Sequence, residues 1–129
     1  MKVRIFYHHT DAGGVVYYAN YLMFLEEART EYFEQCGISM RELIKSGVLF
    51  VVAHQDIDYK SPALYGDTLE VTTRICGSGA AKVEFLNEVK NQDGKLIAVA
   101  RTALVCVERN LKPRQIPQEL RIKLKLAAN

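Results

Sequence analysis

No stretch of this sequence is apolar for long enough to span a bilayer, and its first residues lead straight into a predicted strand without an export-signal pattern. Stable membrane insertion is therefore not expected, and the expected compartment is cytoplasmic. Cysteine is scarce: Cys36, Cys76 and Cys106 are an odd number with no CxxC pair. That excludes a disulfide framework and fits reduced thiols. Charge is nearly balanced at +2, too slight to imply a nucleic-acid partner. Repeats, linkers and low-complexity stretches are also missing. What is present is ordinary for a folded chain, 49% hydrophobic and 25% charged, which argues against disorder. At 129 residues the chain can bury one core but not two, so a single domain over residues 1–129 is expected.

Residues 6–34, FYHHTDAGGVVYYANYLMFLEEARTEYFE, organise the rest. Lys2 to Tyr7 begins with the alternation of a half-buried strand, and Gly13-Gly14 then interrupts the chain. From about Val16 or Tyr17 the apolar spacing changes to three and four. Tyr21, Phe24, Leu25, Ala28, Tyr32 and Phe33 share one helical face, and Gly37 is a suitable stop. A short helix is predicted within Ile38–Gly47, followed by a strand over Val48–Tyr59 whose apolar front half suits burial on both faces. In its back half Ala53, Gln55, Ile57 and Tyr59 lie on one side and His54, Asp56, Asp58 and Lys60 on the other. Strands follow at Leu69–Cys76, Lys82–Lys90 and Leu96–Val107, the last expected to be central, with Asn91-Gln92-Asp93-Gly94 as the clearest hairpin turn. Pro117 suits the start of a final helix, although Leu120, Ile122, Leu124 and Leu126 alternate. This order gives an α+β class, satisfied by a curved antiparallel β-sheet wrapped around one long α-helix.

The glycine loop delivers Asp11 and unpartnered backbone N–H groups to the start of the predicted helix. Such groups, with the helix dipole, stabilise a carbonyl oxygen that gains negative charge. From spacing alone Asp11 is more often a cap or turn former than a catalyst. His8 and His9 would point to opposite faces of a strand, and no HxxxH or CxxC spacing supports zinc, so no metal site is expected.

The run TDAGGVVYYANYL followed by FLEEARTE closely resembles the signature of hotdog-fold acyl-CoA thioesterases of the 4-hydroxybenzoyl-CoA thioesterase type. Within that type it is most similar to the YbgC proteins associated with the Tol-Pal system, over about Val3 to Pro117. The resemblance implies a hotdog fold, an acyl-CoA substrate, no cofactor, and a homodimer that assembles into a homotetramer. It aligns Asp11 with the family's catalytic aspartate, acting as nucleophile or as general base toward water. It puts Tyr18 where relatives carry Tyr or His, on the first helical turn. The Tyr18 backbone N–H is then the lead oxyanion donor, with those of Tyr17 and Val16 behind it. For the Tyr17 ring, core packing is the favoured reading. Gly14 serves close approach of the backbone to the thioester, and Asn20 braces the first turn.

Many relatives carry an acidic residue where His9 stands. His9 therefore tunes Asp11, lines the pocket mouth, or faces solvent. Asp58 is a candidate for orienting a pocket group or for a structural salt bridge. Glu26 and Glu27 read as solvated or subunit-contact charges. Arginines that related enzymes place after the third strand are missing, leaving Lys82 beyond that turn, with Arg74, Lys60, Lys112 and Arg114 as unranked substitutes. A weak nucleotide grip would also suit an acyl carrier protein, whose acidic surface would meet basic residues. Rival readings are a hydratase or dehydratase, which carries an Asp/His pair in another motif, and a non-catalytic acyl-thioester-binding or interaction module.

Overall fold

The computed structural model describes residues 1–127. Five strands, β1 (Lys2–Arg4), β2 (Leu49–Tyr59), β3 (Thr68–Ser78), β4 (Lys82–Lys90) and β5 (Leu96–Val107), form one antiparallel sheet in the order β1-β3-β4-β5-β2. The sheet curls around helix α1 (Asn20–Gln35), the arrangement of a hotdog fold, with α2 (Met40–Lys45) and α3 (Gln118–Leu124) at one end. The predicted α+β class and element order hold.

Helix α1 packs because its apolar residues recur at three and four. Tyr21, Phe24, Leu25, Ala28 and Phe33 are buried, and Tyr32 is only half-buried. Arg29 takes the remaining buried position, a cation where the apolar pattern marked no core residue. Two apolar clusters result. One gathers Tyr21, Phe24, Leu25 and Ala28 over Val71, Val89 and Ala100; the other gathers Phe33 with Phe85, Leu104 and Cys106.

A polar belt crosses the inner face of the sheet between them. Arg29 Nη1 donates to Thr102 Oγ1 (3.4 Å), Thr102 donates to Gln55 Oε1 (2.7 Å), and Asn87 Nδ2 donates to Thr73 Oγ1 (2.8 Å). Burial of Arg29 lowers its pKa, opposed by the Glu26 carboxylate.

Three expectations are corrected. The first strand stops at Arg4, and Tyr7–His9 forms a single 3-10 turn, so His8 and His9 do not oppose each other; their rings lie 4.0 Å apart. Helix α1 begins at Asn20 rather than near Val16: Val16 is held in an extended bridge to Thr10, and its N–H and that of Tyr17 tie the segment to Ala63 and His9. Strand β2 is not buried on both faces: it is an edge strand, with Val51 39% and Val52 52% exposed. The final helix expected after Pro117 forms as α3, burying Leu120 and Leu124, four residues apart, while Ile122 stays exposed.

The predicted split of β2 holds for its back half, where a bulge between Val52 and His54 switches the inward set. Phe50 packs inward before it, and Ile57 after it. Strand β5 is interior, between β4 and β2.

Candidate active site

The loop carrying Asp11 is a small hairpin. Thr10 bridges Val16, Asp11 N–H donates to the Val15 carbonyl (2.9 Å), and Gly14 N–H donates back to the Asp11 carbonyl (3.0 Å). Gly14 has φ +80°, which an L side chain rarely adopts. The Asp11 carboxylate supports this turn, accepting the Gly13 N–H at Oδ1 (2.8 Å). That is the turn-forming role foreseen from spacing. Asp11 is nevertheless exposed and is not the cap of α1; Ala19 holds that position with no side-chain cap.

Beyond the hairpin the chain is anchored to its neighbours. Val16 N–H donates to Ala63 O (2.8 Å), and Tyr17 N–H to His9 O (2.9 Å). Asn20 Nδ2 donates to the same His9 carbonyl (2.8 Å), tying α1 to the 3-10 turn rather than bracing its own first turn. The Val16 and Tyr17 N–H groups are therefore spoken for. Among the described residues, the N–H groups of Tyr18 and Ala19 have no acceptor. They lie just before α1, where the positive end of its dipole adds to their own.

A cleft of about 330 Å³ opens here, bringing together Asp11, Val16 and Tyr18 with Tyr21, Tyr59 and Lys60. Burial and the neighbouring Tyr59 push the Tyr21 phenol up to about 12, so it is a neutral donor at ordinary pH. Tyr59 donates its hydroxyl to the Tyr18 carbonyl (3.2 Å), and its own pKa is raised by burial and by Tyr18. The cleft thus offers one carboxylate, the backbone of Tyr18 with its unpartnered N–H, and an aromatic wall. That set can polarise a carbonyl from one side and approach its carbon with an oxygen from the other.

The other predicted residues fall outside this lining. Gly14 shapes the hairpin next to it. The Tyr17 ring is 43% exposed and lies against Tyr18 (4.9 Å) instead of packing in the core. The neighbouring Tyr18 side chain raises its pKa. His9 accepts the Phe6 N–H at Nδ1 (2.9 Å) and meets the Phe24 ring edge-on (5.5 Å). Burial, then the neighbouring His8, lowers its pKa, while Glu27 opposes both. His9 acts structurally here, through its carbonyl and its ring.

Asp58 is exposed on the outer side of β2, opposite the face of Ile57 and Tyr59. Lys82 pairs with Glu84 (3.1 Å) and sits opposite Val105, at the far end of the sheet from Tyr59, which sits opposite Ala98. Sequence reasoning did not single out Tyr59 or Tyr21 for the site, and left Lys60 unranked. The signal for Tyr59 was its place in the inward set of β2; that this set ends against the glycine loop is a tertiary fact.

Comparison with known proteins agrees with this fold. Residues 7–124 match the thioesterase-like superfamily. Acyl-CoA thioester hydrolase YbgC of Escherichia coli is 37% identical over 119 residues, covering 92% of this chain and 89% of that protein. Acyl-CoA thioesterase YbgC of Haemophilus influenzae is 36% identical over 121 residues, covering 92% and 88%. Among solved structures, Slr0204, a 1,4-dihydroxy-2-naphthoyl-CoA thioesterase from Synechocystis, superposes with a TM-score of 0.89 at 26% identity, covering 97% of this chain and 93% of that one. The gentisyl-coenzyme A thioesterase BH1999 gives 0.88 at 26%, covering 94% and 98%. The fold, the match over nearly the whole chain and these relatives agree: the chain belongs to the thioesterase-like superfamily of hotdog proteins.

Proposed function

We propose that this protein hydrolyses acyl-CoA thioesters to a free acid and coenzyme A. The observation that carries the reading is the shared cleft of Asp11 and Tyr18, beside backbone N–H groups that no protein acceptor takes up among the described residues. A thioester carbonyl seated there receives the Tyr18 N–H at its oxygen and the free Asp11 oxygen, Oδ2, at its carbon. Negative charge building on the oxygen is stabilised by preorganised dipoles. Asp11 either attacks the carbonyl carbon itself, giving a mixed anhydride that water then opens, or deprotonates a water that attacks. In both routes the C–S bond breaks and the sulfur leaves as a thiolate that takes up a proton. Single-turnover hydrolysis in heavy-oxygen water reports on the route: an acid with both carboxyl oxygens unlabelled marks an anhydride that water opened at the Asp11 carbonyl, whereas one labelled oxygen marks attack by water at the acyl carbon.

Lys60 is the basic residue at this cleft, suited to a phosphate of the pantetheine arm. A carrier protein bearing the same arm is a second acyl donor that the site would accept. The active assembly is a homodimer joined through the open edge of β2, and two dimers make a homotetramer. Antiparallel pairing of two β2 edges would bring the Leu49 end of one copy, where its Lys82 lies, toward the Tyr59 end of the other. The compartment is the cytoplasm, consistent with three free thiols.

One observation favours a second reading, a non-catalytic thioester-binding module: Asp11 Oδ1 is already engaged in the turn. Thiol release from a panel of aliphatic and aromatic acyl-CoA esters, followed with a thiol-reactive dye, decides. Turnover of at least one ester above the buffer rate supports the hydrolase. Binding of esters with no turnover of any supports the module.

A further inference from the structure

We propose that Tyr59 is a positioning residue: its hydroxyl pins the Tyr18–Ala19 peptide, the plane after Tyr18, and together with the Asn20 bond to the plane before it fixes the residue whose N–H serves the thioester oxygen. This rests on the hydrolytic reading above. Tyr18 stands between two anchored peptide planes. The plane before it is held where Asn20 N–H donates to the Tyr17 carbonyl (2.9 Å). The plane after it is held only weakly from within the chain, by a 3.4 Å bond from Tyr21 N–H to the Tyr18 carbonyl. Tyr59 supplies the rest with its 3.2 Å bond to that same carbonyl.

The brace comes from a rigid element. Tyr59 is the last residue of β2, paired with Ala98 on β5. Its ring meets Tyr21 (5.5 Å) and Tyr18 (6.5 Å), both edge-on. Position and orientation of the hydroxyl are thus set by the sheet, while the group it restrains lies in an irregular turn with no side-chain cap. Restraint of this kind bears on the transition state more than on ground-state binding, because the carbonyl oxygen needs the donor most when it is charged.

The test is Tyr59→Phe, which keeps the ring contacts and removes the hydroxyl. Steady-state kinetics use the acyl-CoA ester that wild type turns over fastest, and the backbone amide signals of Tyr18 and Ala19 are followed by nitrogen–proton NMR. The expected kcat falls about three- to tenfold, the value of one neutral hydrogen bond, with KM changed by less than about twofold. The two amide signals move while those of β3 and β4 stay. An unchanged kcat overturns the proposal, as does a raised KM at unchanged kcat, which would make Tyr59 a substrate contact. If wild type turns over no ester, the hydrolytic reading falls and the amide signals alone decide: displacement supports the brace, and unmoved signals overturn it.

Discussion

Gly14 shows most simply how the loop chemistry is written into single residues. A Cβ built there meets nothing within 4 Å, so the only objection to a side chain is its φ of +80°. Gly14→Ala should therefore cost about 1–2 kcal/mol in a denaturant titration, from backbone strain alone. An unchanged midpoint would show that the hairpin reshapes at no cost. His9 makes a second case. Its Nδ1 must be unprotonated to accept the Phe6 N–H, and its folded pKa lies below the ordinary 6.5. The unfolded chain then binds the proton more readily, so this contribution is present above pH 6.5 and is lost as pH falls through the folded value. Melting midpoints between about pH 7.5 and pH 5 should decline less steeply in His9→Gln than in wild type; parallel curves would contradict that role. The sequence names both residues but not their partners. Nothing local says that the His9 carbonyl will collect two donors, from Tyr17 and Asn20.

At the level of elements, helix α1 was legible because its apolar spacing is regular from Tyr21 to Phe33, and its end because Gly37 follows. Its start was not. Tyr17, Tyr18 and Ala19 continue an acceptable helical pattern, but Val16 is drawn into a bridge with Thr10 and Tyr17 is tied to His9, contacts that local spacing does not announce. The same limit hid Arg29, since periodicity marks which positions face the sheet but not which of them will be polar. Arg29 is 7% exposed and forms no ion pair among the described residues. A buried cation that makes no direct ion pair is costly to desolvate, and Glu26 offsets only part of that cost. Arg29→Met, which fills similar volume, should therefore leave the melting midpoint unchanged or raise it, whereas Arg29→Ala should lower it by opening a cavity. A large loss in the Met variant would mean that the belt to Thr102 and Gln55 contributes more than desolvation costs.

For the whole molecule, the order of strands was readable from alternation and turns, but which strand ends up at the edge was not. Strand β2 has the most apolar front half in the chain and still lies at the rim, eleven residues long with no partner on its outer side in the single chain. Such an edge invites pairing with a second copy. Val52→Glu, at a half-exposed position near the middle of that edge, should shift the sedimentation coefficient toward that of a monomer. An unchanged assembly would place the subunit contact elsewhere. The proposed hydrolysis needs one carboxylate and one amide on opposite sides of a thioester. Asp11→Asn tests it most directly, because asparagine keeps an oxygen for the Gly13 N–H and so leaves the turn in place. Single-turnover hydrolysis should slow by about 10²- to 10⁴-fold while the ester still binds with wild-type affinity; hydrolysis at the wild-type rate would contradict the assignment.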